Sequence, residues 1–293
     1  MTSVAGQRLV VIKRNEPSPS TGWRAELELG FIARDGVTVL ARRRHVGPLV
    51  VQRPFYPEAG VCHVYLLHPP GGIVGGDTLL CRISVGAGAH ALLTTPAATK
   101  FYRSAGPVAE QRQTIRIDRA TCEWLPQETL YFANARARVG TRVDLNPGSR
   151  FLGWDIACFG RPASGDLFAQ GEVYQSFELW RDGLPLFMDR LRIDGADAQM
   201  MRAPWGLGGH PVISTLLACP ATMEDLEAAR AATAPLATES ETLTGFSLVD
   251  GVLVARCLAS RGDKVRAVLL RLWEILRPRA LQRPAVVPRV WAT

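Results

Sequence analysis

Lysine is scarce in this chain: only three lysines occur, although lysine and arginine together number 34 and the formal charge is +7. Arginine therefore carries the positive charge, and its guanidinium group suits fixed ion pairs and protein interfaces. The arginines are scattered, and residues 42–44 form their only tight run. A nucleic-acid-binding protein is expected to gather such charge into a stripe with interleaved aromatic side chains. The sequence therefore predicts no nucleic-acid partner.

Paired cysteines and long apolar runs are also missing. The six cysteines stand singly without CxxC spacing, which argues against a zinc knuckle and against a disulfide framework. Most have apolar neighbours, so buried, reduced thiols are expected. No apolar stretch approaches the roughly 18 residues that cross a bilayer, and the N-terminus lacks the pattern of a secretory signal. These absences predict a cytoplasmic protein with no membrane partner.

The common catalytic signatures are absent as well. Nothing matches the GxxxxGK[ST] phosphate-binding loop, so the chain is not expected to hydrolyse nucleotides. The glycines at 71–76 lack the GxGxxG spacing of a dinucleotide site, and the GxSxG and HExxH motifs do not occur. Five histidines leave a Ser/His/Asp triad open by counting alone, but no nucleophile lies in a recognisable sharp turn.

What is present predicts strands more than helices. The dipeptides Asp-Gly at 35–36, 182–183 and 250–251 each separate two alternating apolar runs, which indicates three antiparallel hairpins. The remaining strand candidates are residues 23–32, 61–67, 79–85, 113–117 and 141–145. Helices are predicted at 222–230, capped by Thr222, and at 265–276, stopped by Pro278.

The predicted fold is mainly β: a single β-rich body of stacked antiparallel or mixed strands with about two α-helices. Residues 1–20 are polar and proline-rich near their end and are predicted to be a flexible N-terminal tail. Residues 21–293 are predicted to form a single domain. The apolar, proline-bearing segment 283–291 is expected to dock across the body.

Residues 68–77, HPPGGIVGGD, hold four glycines and two prolines. Glycine reaches backbone angles that are closed to other residues, and proline fixes φ, so this composition predicts a loop of fixed shape. Apolar runs precede and follow it. The segment is therefore expected to connect two strands and to direct Asp77 towards a partner.

Four carboxylates occur within apolar sequence: Asp77, Glu128, Asp155 and Asp189. A buried carboxylate costs several kcal/mol unless it is paired, hydrogen-bonded or bound to a cation, so each needs a partner. Arginine is the ordinary partner, and the nearest candidates are Arg190 beside Asp189, with Arg161 or Arg136 elsewhere. The residues alone leave a structural ion pair and a functional role open.

Several long strings, in order along nearly the whole chain, resemble the urease accessory protein D family (UreD, also called UreH). They include HVGPL at 45–49 and QRPFYP at 52–57, followed by the glycine loop at 68–77. The others are LTTPAATKFYRS at 93–104, EWLPQE at 123–128, GRP at 160–162 and PRVWAT at 288–293.

The resemblance implies a non-enzymatic factor that helps to deliver nickel to apo-urease. It implies a complex with the accessory protein UreF and the GTPase UreG, and binding to the urease subunits. It also implies a β-helix-like body with two helices, no tightly bound cofactor, and Ni²⁺ held only transiently.

The metal path proposed for the family is a water-filled tunnel with polar and acidic walls. By motif position the resemblance implies Asp77, Asp155 and Asp189 along that path, with Thr99 near it and Glu128 as a weaker candidate. Carboxylates suit transit, because isolated oxygen ligands hold Ni²⁺ less tightly than clustered His or Cys. Alanine at Asp77 or Asp189 is expected to lower nickel loading of urease while the chain stays folded.

Two other interpretations stay open. A partner-independent hydrolase could use a buried carboxylate pair as general acid and base, and it would turn over substrate as an isolated chain. A purely structural adaptor would carry no metal, and its buried acids could become asparagine without effect. A nickel store is disfavoured, because a strand places the adjacent Cys62 and His63 on opposite faces, one in the core and one at the surface.

Overall fold

The computed structural model describes residues 22–161, 164–239 and 242–292, so the predicted tail, residues 1–20, lies outside the described residues. The strands are β1 (Arg24–Arg34), β2 (Val37–Val46), β3 (Val50–Val51), β4 (Val61–Leu67), β5 (Thr78–Val85), β6 (His90–Thr94), β7 (Thr99–Phe101), β8 (Ala109–Ile117), β9 (Thr121–Leu125), β10 (Thr129–Tyr131), β11 (Arg136–Leu145), β12 (Arg150–Arg161), β13 (Asp166–Leu167), β14 (Glu172–Arg181), β15 (Leu184–Asp194), β16 (Val212–Cys219), β17 (Leu243–Val249) and β18 (Val252–Ala259). The helices are α1 (Ala198–Arg202), α2 (Met223–Glu239) and α3 (Gly262–Ala280), and a 3₁₀ turn covers Arg289–Ala292.

The strands form two facing sheets. The seven-stranded sheet has the order β15-β14-β11-β8-β5-β1-β2, and the larger sheet follows β17-β18-β16-β12-β9-β6-β4-β3, with β7, β10 and β13 attached off this path. From β4 to β14 the chain alternates between the sheets, and consecutive strands within each sheet pair in parallel. The strands therefore wind as a coil, which confirms the mainly β, β-helix-like prediction.

The three predicted hairpins are present as β1–β2, β14–β15 and β17–β18. Asp35, Asp182 and Asp250 have φ of 50°, 51° and 48°, and the glycine after each also has positive φ. Two consecutive left-handed residues are the signature of the type I′ turn, whose twist matches that of paired strands. The Asp-Gly dipeptides therefore predicted the positions of these three antiparallel hairpins correctly.

The helices differ from the prediction in length and number. Thr222 caps α2 as predicted, with Asp225 accepting from the Thr222 backbone in return, but the helix continues to residue 239. The prediction that Pro278 ends the last helix is wrong, since α3 continues to Ala280. Proline removes one helical hydrogen bond, and the ion pairs of the neighbouring Arg277 with Glu58 and Glu123 hold this turn in place. None of the helices in the described ranges is long and apolar enough to cross a bilayer.

Two apolar cores result from this layering. One lies between the two sheets, and the other lies between the larger sheet and helices α2 and α3. The larger sheet is therefore buried on both faces. For that reason the prediction that Cys62 and His63 divide between core and surface is wrong, because both have 0% exposure.

Candidate functional site

Polar side chains line the space between the two sheets. On the larger sheet Asp155, Thr215 and Arg256 are paired neighbours on three adjacent strands, so their side chains lie on one face. On the seven-stranded sheet Gln113 and Thr141 form a similar neighbouring pair. Polar residues at these inward positions interrupt the apolar alternation of the strands, which leaves a polar patch within the otherwise apolar core between the sheets.

Two cavities occupy this interior. The first, of about 270 Å³, extends from the glycine loop at Gly71 to Asp155. The second, of about 210 Å³, is lined by Asp155, Asp189 and the loop that carries Trp205. Asp155 and Gln175 line both cavities, so they stand where the two meet. Trp205 is 71% exposed, which places the end of the second cavity at the surface.

Asp155 is the unpaired carboxylate of this interior. Its Oδ2 is buried without a hydrogen-bond partner among the described protein atoms, and so is Nε1 of Trp124, which lines the first cavity. Burial raises the pKa of Asp155 to about 7. Trp124 and Thr141 oppose the rise through contacts that fall short of a well-formed hydrogen bond, and the charge of Asp189 adds to it. Asp155 can therefore exchange a proton near neutral pH, and its carboxyl group lines both cavities without an arginine or lysine partner among the described residues.

Asp189 is paired, unlike Asp155. Its Oδ2 accepts from Thr215 Oγ1 at 2.9 Å, and its Oδ1 lies 3.1 Å from Arg256 Nη2. The suggestion that Arg190 is its partner is wrong: Arg190 pairs with Glu178 at 3.3 Å. Consecutive residues of a strand point to opposite faces, so Asp189 faces inward and Arg190 outward.

Thr99 and Glu128 are neighbours, but only one of them lines a cavity. Thr99 lies on the wall of the first cavity, and its backbone N–H donates to the Glu128 carbonyl at 3.0 Å. Glu128 lines neither cavity. Burial lowers the pKa of Arg266 on α3, and the charge of Glu128 opposes that effect, which places Glu128 towards the helical side.

Asp77 secures the glycine loop rather than lining a cavity. Its Oδ1 accepts from the backbone N–H of Trp23 at 2.8 Å, and its Oδ2 accepts from that of Val74 at 2.9 Å. Gly76 has φ of +94°, and a side chain at Gly72 would collide with the ring of Tyr102. Asp77 thus acts on the cavity through the loop, which supplies part of the wall of the first cavity.

Of the five predicted residues, Thr99, Asp155 and Asp189 lie on the cavity walls, whereas Asp77 and Glu128 do not. Sequence reasoning missed most polar wall residues, among them Gln111, Gln113, Thr141, Gln175, Thr215 and Arg256. The available signal was a polar residue at an inward strand position. In the described ranges no group of three or more His, Cys, Asp and Glu side chains could hold a metal ion together.

Comparison with known proteins places the chain in a family. The family described as UreD urease accessory protein matches residues 24–292. The chain belongs to the UreD family. The urease accessory protein UreD of Pseudomonas putida (strain W619) is 44% identical over 97% of this chain and 100% of its own length. Urease accessory protein UreD 2 of Brucella anthropi is 46% identical over 94% of this chain and 100% of its own length. Urease accessory protein UreD of Klebsiella aerogenes is 43% identical over 94% of this chain and 99% of its own length.

This UreD-family chain also holds a buried ionic cluster that sequence reasoning did not identify. Arg277 of α3 is fully buried and pairs with Glu58 at 2.6 Å and with Glu123 at 3.0 Å. His90 Nε2 lies 2.7 Å from Glu123, and His63 Nε2 lies 2.8 Å from Glu58. Burial alone would raise the pKa of Glu123, but His90 and Arg277 outweigh it and hold the pKa at about 2. The cluster fastens α3 to the larger sheet.

Proposed function

We propose that this chain is a urease maturation factor that conducts Ni²⁺ through the cavities between its two sheets to apo-urease. The observation that supports this most directly is Asp155, whose carboxylate stands where two cavities meet and has one oxygen without a partner. Nickel is the cargo here. Single carboxylates separated along a path bind it weakly enough to let it leave.

The proposed working form is a complex in the cytoplasm. In this proposal the chain acts as a scaffold together with UreF and UreG and contacts the urease subunits. UreG supplies the nucleotide hydrolysis, for which this chain has no phosphate-binding loop. Thr99, Asp155 and Asp189 are the proposed points of transient nickel contact, whereas Asp77 and Glu128 act indirectly through the segments that they position.

Asp155→Asn tests the proposed path, because it removes the charge at nearly constant volume. The urease genes and the other accessory genes would be expressed with the wild-type chain, with Asp155→Asn, or without this chain. We expect Asp155→Asn to give urease with less nickel and lower activity at limiting nickel. Nickel per urease active site, measured by mass spectrometry of the metal, is the primary readout.

Asp118→Asn is the matched control, since Asp118 is a half-exposed aspartate that lines neither cavity and contacts Arg119 and Asn146. It should behave as the wild type. Full nickel loading of urease with Asp155→Asn would contradict the proposed nickel path. Full loading in the absence of this chain would contradict the maturation role.

A further inference from the structure

The two aspartates of the second cavity differ in what already contacts them. Asp155 has an oxygen without a partner, whereas both oxygens of Asp189 are engaged, one by the hydroxyl of Thr215 and one by the guanidinium of Arg256. A cation that reaches Asp189 therefore meets a carboxylate with a positive partner in place. Asp155 presents no such competitor.

The Asp189–Arg256 pair spans the two sheets at the open end of the second cavity. Asp189 belongs to β15 of the seven-stranded sheet, and Arg256 belongs to β18 of the larger one. Their side chains are 25% and 48% exposed. Ion pairs this exposed are weak, so the guanidinium can leave the carboxylate at small cost. Arg256 also lies 5.7 Å from the ring centroid of Phe187, a contact that does not depend on Asp189.

We propose that Arg256 is the resident counter-cation of Asp189, and that a divalent ion passing this end of the cavity displaces it. This inference rests on the proposed nickel path. At equal distance a divalent ion attracts a carboxylate about twice as strongly as a guanidinium does, whereas a monovalent ion has no such advantage. Arg256 thereby favours divalent cargo. It also shortens the stay of that cargo, because the guanidinium returns as the ion leaves.

Arg256→Gln in the purified full-length chain tests the competition. Nickel binding, measured by equilibrium dialysis, should become tighter by up to about fivefold, the scale of one half-exposed ion pair. Release to a chelator should slow by a similar factor. Arg190→Gln is the matched control, since it removes a neighbouring arginine whose partner is Glu178 on the outer face. The melting temperatures of both variants verify folding.

A second measurement uses the wild-type chain and so needs no variant to fold. Saturating nickel should increase phenylglyoxal modification of Arg256, read by peptide mass spectrometry, and should leave Arg190 unchanged. Unaltered nickel affinity in Arg256→Gln, or unaltered Arg256 labelling, would make the pair a structural link only. If Asp155→Asn still lowered nickel loading, the proposed function would stand without this inference; if it did not, the proposed function itself would fail.

Discussion

At the scale of single residues, three aspartates of one chemical type do different work because their contacts differ. Asp77 accepts two backbone N–H groups, Asp189 has an arginine and a hydroxyl, and Asp155 keeps an oxygen free. A buried acceptor that satisfies backbone donors stabilises a loop, whereas a buried carboxylate without a partner stores an unfavourable desolvation cost. Opposite stability effects are therefore expected on replacing Asp77 and Asp155.

Asp77→Ala should destabilise the chain by about 1–3 kcal/mol, because the N–H groups of Trp23 and Val74 lose their acceptor. This revises the sequence-based expectation that alanine at 77 leaves the fold intact. Urea unfolding followed by tryptophan fluorescence measures the change. Asp118→Ala, at a half-exposed bend, is the comparison, and equal midpoints for the two variants would contradict the role assigned to Asp77.

Asp155 should make stability depend on pH between about 4 and 7. Burial raises its pKa from 3.8 to about 7, so within this window the folded state holds a proton that the unfolded state has released. Stability from this group is complete below its unfolded pKa and falls as pH rises towards its folded pKa. Asp155→Asn should therefore remove the fall and be more stable than the wild type at pH 7.5 by about 1–4 kcal/mol. Urea titrations at pH 5 and 7.5 measure it, and parallel curves for both proteins would refute the assignment.

At the scale of elements, helix α3 depends on one buried arginine. Arg277→Leu leaves Glu58 and Glu123 buried without their cation, at a cost of about 3–5 kcal/mol. Arg271→Leu on the same helix removes only an exposed pair and should stay within about 0.5 kcal/mol of the wild type. Thermal unfolding of both variants gives the comparison. Similar losses would show that the cluster does not fasten α3.

The same cluster should make the chain less stable at low pH. The pKa of Glu123 is held at about 2 against an ordinary value of 4.5. A lowered pKa contributes stability that is present above about pH 4.5 and is lost as pH falls towards 2. The free energy of unfolding of the wild type should therefore fall more steeply with decreasing pH in this range. Glu123→Gln, although less stable at pH 7, should show a shallower decline, and an unchanged slope would argue against an ionised Glu123.

The elements that the sequence predicted were those fixed by local chemistry. Asp-Gly pairs specify type I′ turns, so the three hairpins followed from neighbouring residues. The parallel pairing of β5, β8 and β11 joins residues far apart in the chain, and no local pattern reports it. The Asp189–Arg256 contact likewise depends on how two sheets face each other. Helix α3 passed Pro278 because tertiary contacts of Arg277 outweighed a local signal.

At the scale of the whole molecule, the reactivity of the six cysteine thiols measures how completely the interior excludes solvent. All six cysteines are free and buried, which confirms the predicted buried thiols, and burial raises the pKa of Cys81 and Cys257 to about 12. Thiolate is the reactive form of cysteine, so the thiols of the native chain should react slowly with a disulfide reagent. All six should react when the chain is unfolded in guanidinium. Rapid labelling of any thiol in the native state would contradict this packing.

The C-terminal segment packs against the second core, which lies between the larger sheet and the helices. Its predicted docking is confirmed by Trp291, whose ring centroid lies 5.9 Å from that of Trp154 on the larger sheet and 5.7 Å from that of Trp273 on α3. Its Nε1 donates to Thr94 Oγ1 at 2.9 Å.

Trp291→Ala should lower the free energy of unfolding by about 2–3 kcal/mol. This is less than the loss expected for a fully buried tryptophan, because the Trp291 side chain is partly exposed. Val287→Ala, 54% exposed in the same segment, should change stability by less than about 0.5 kcal/mol. Unfolding in urea separates the two, and a Trp291→Ala midpoint equal to that of Val287→Ala would mean that the segment lies against the body without stabilising it.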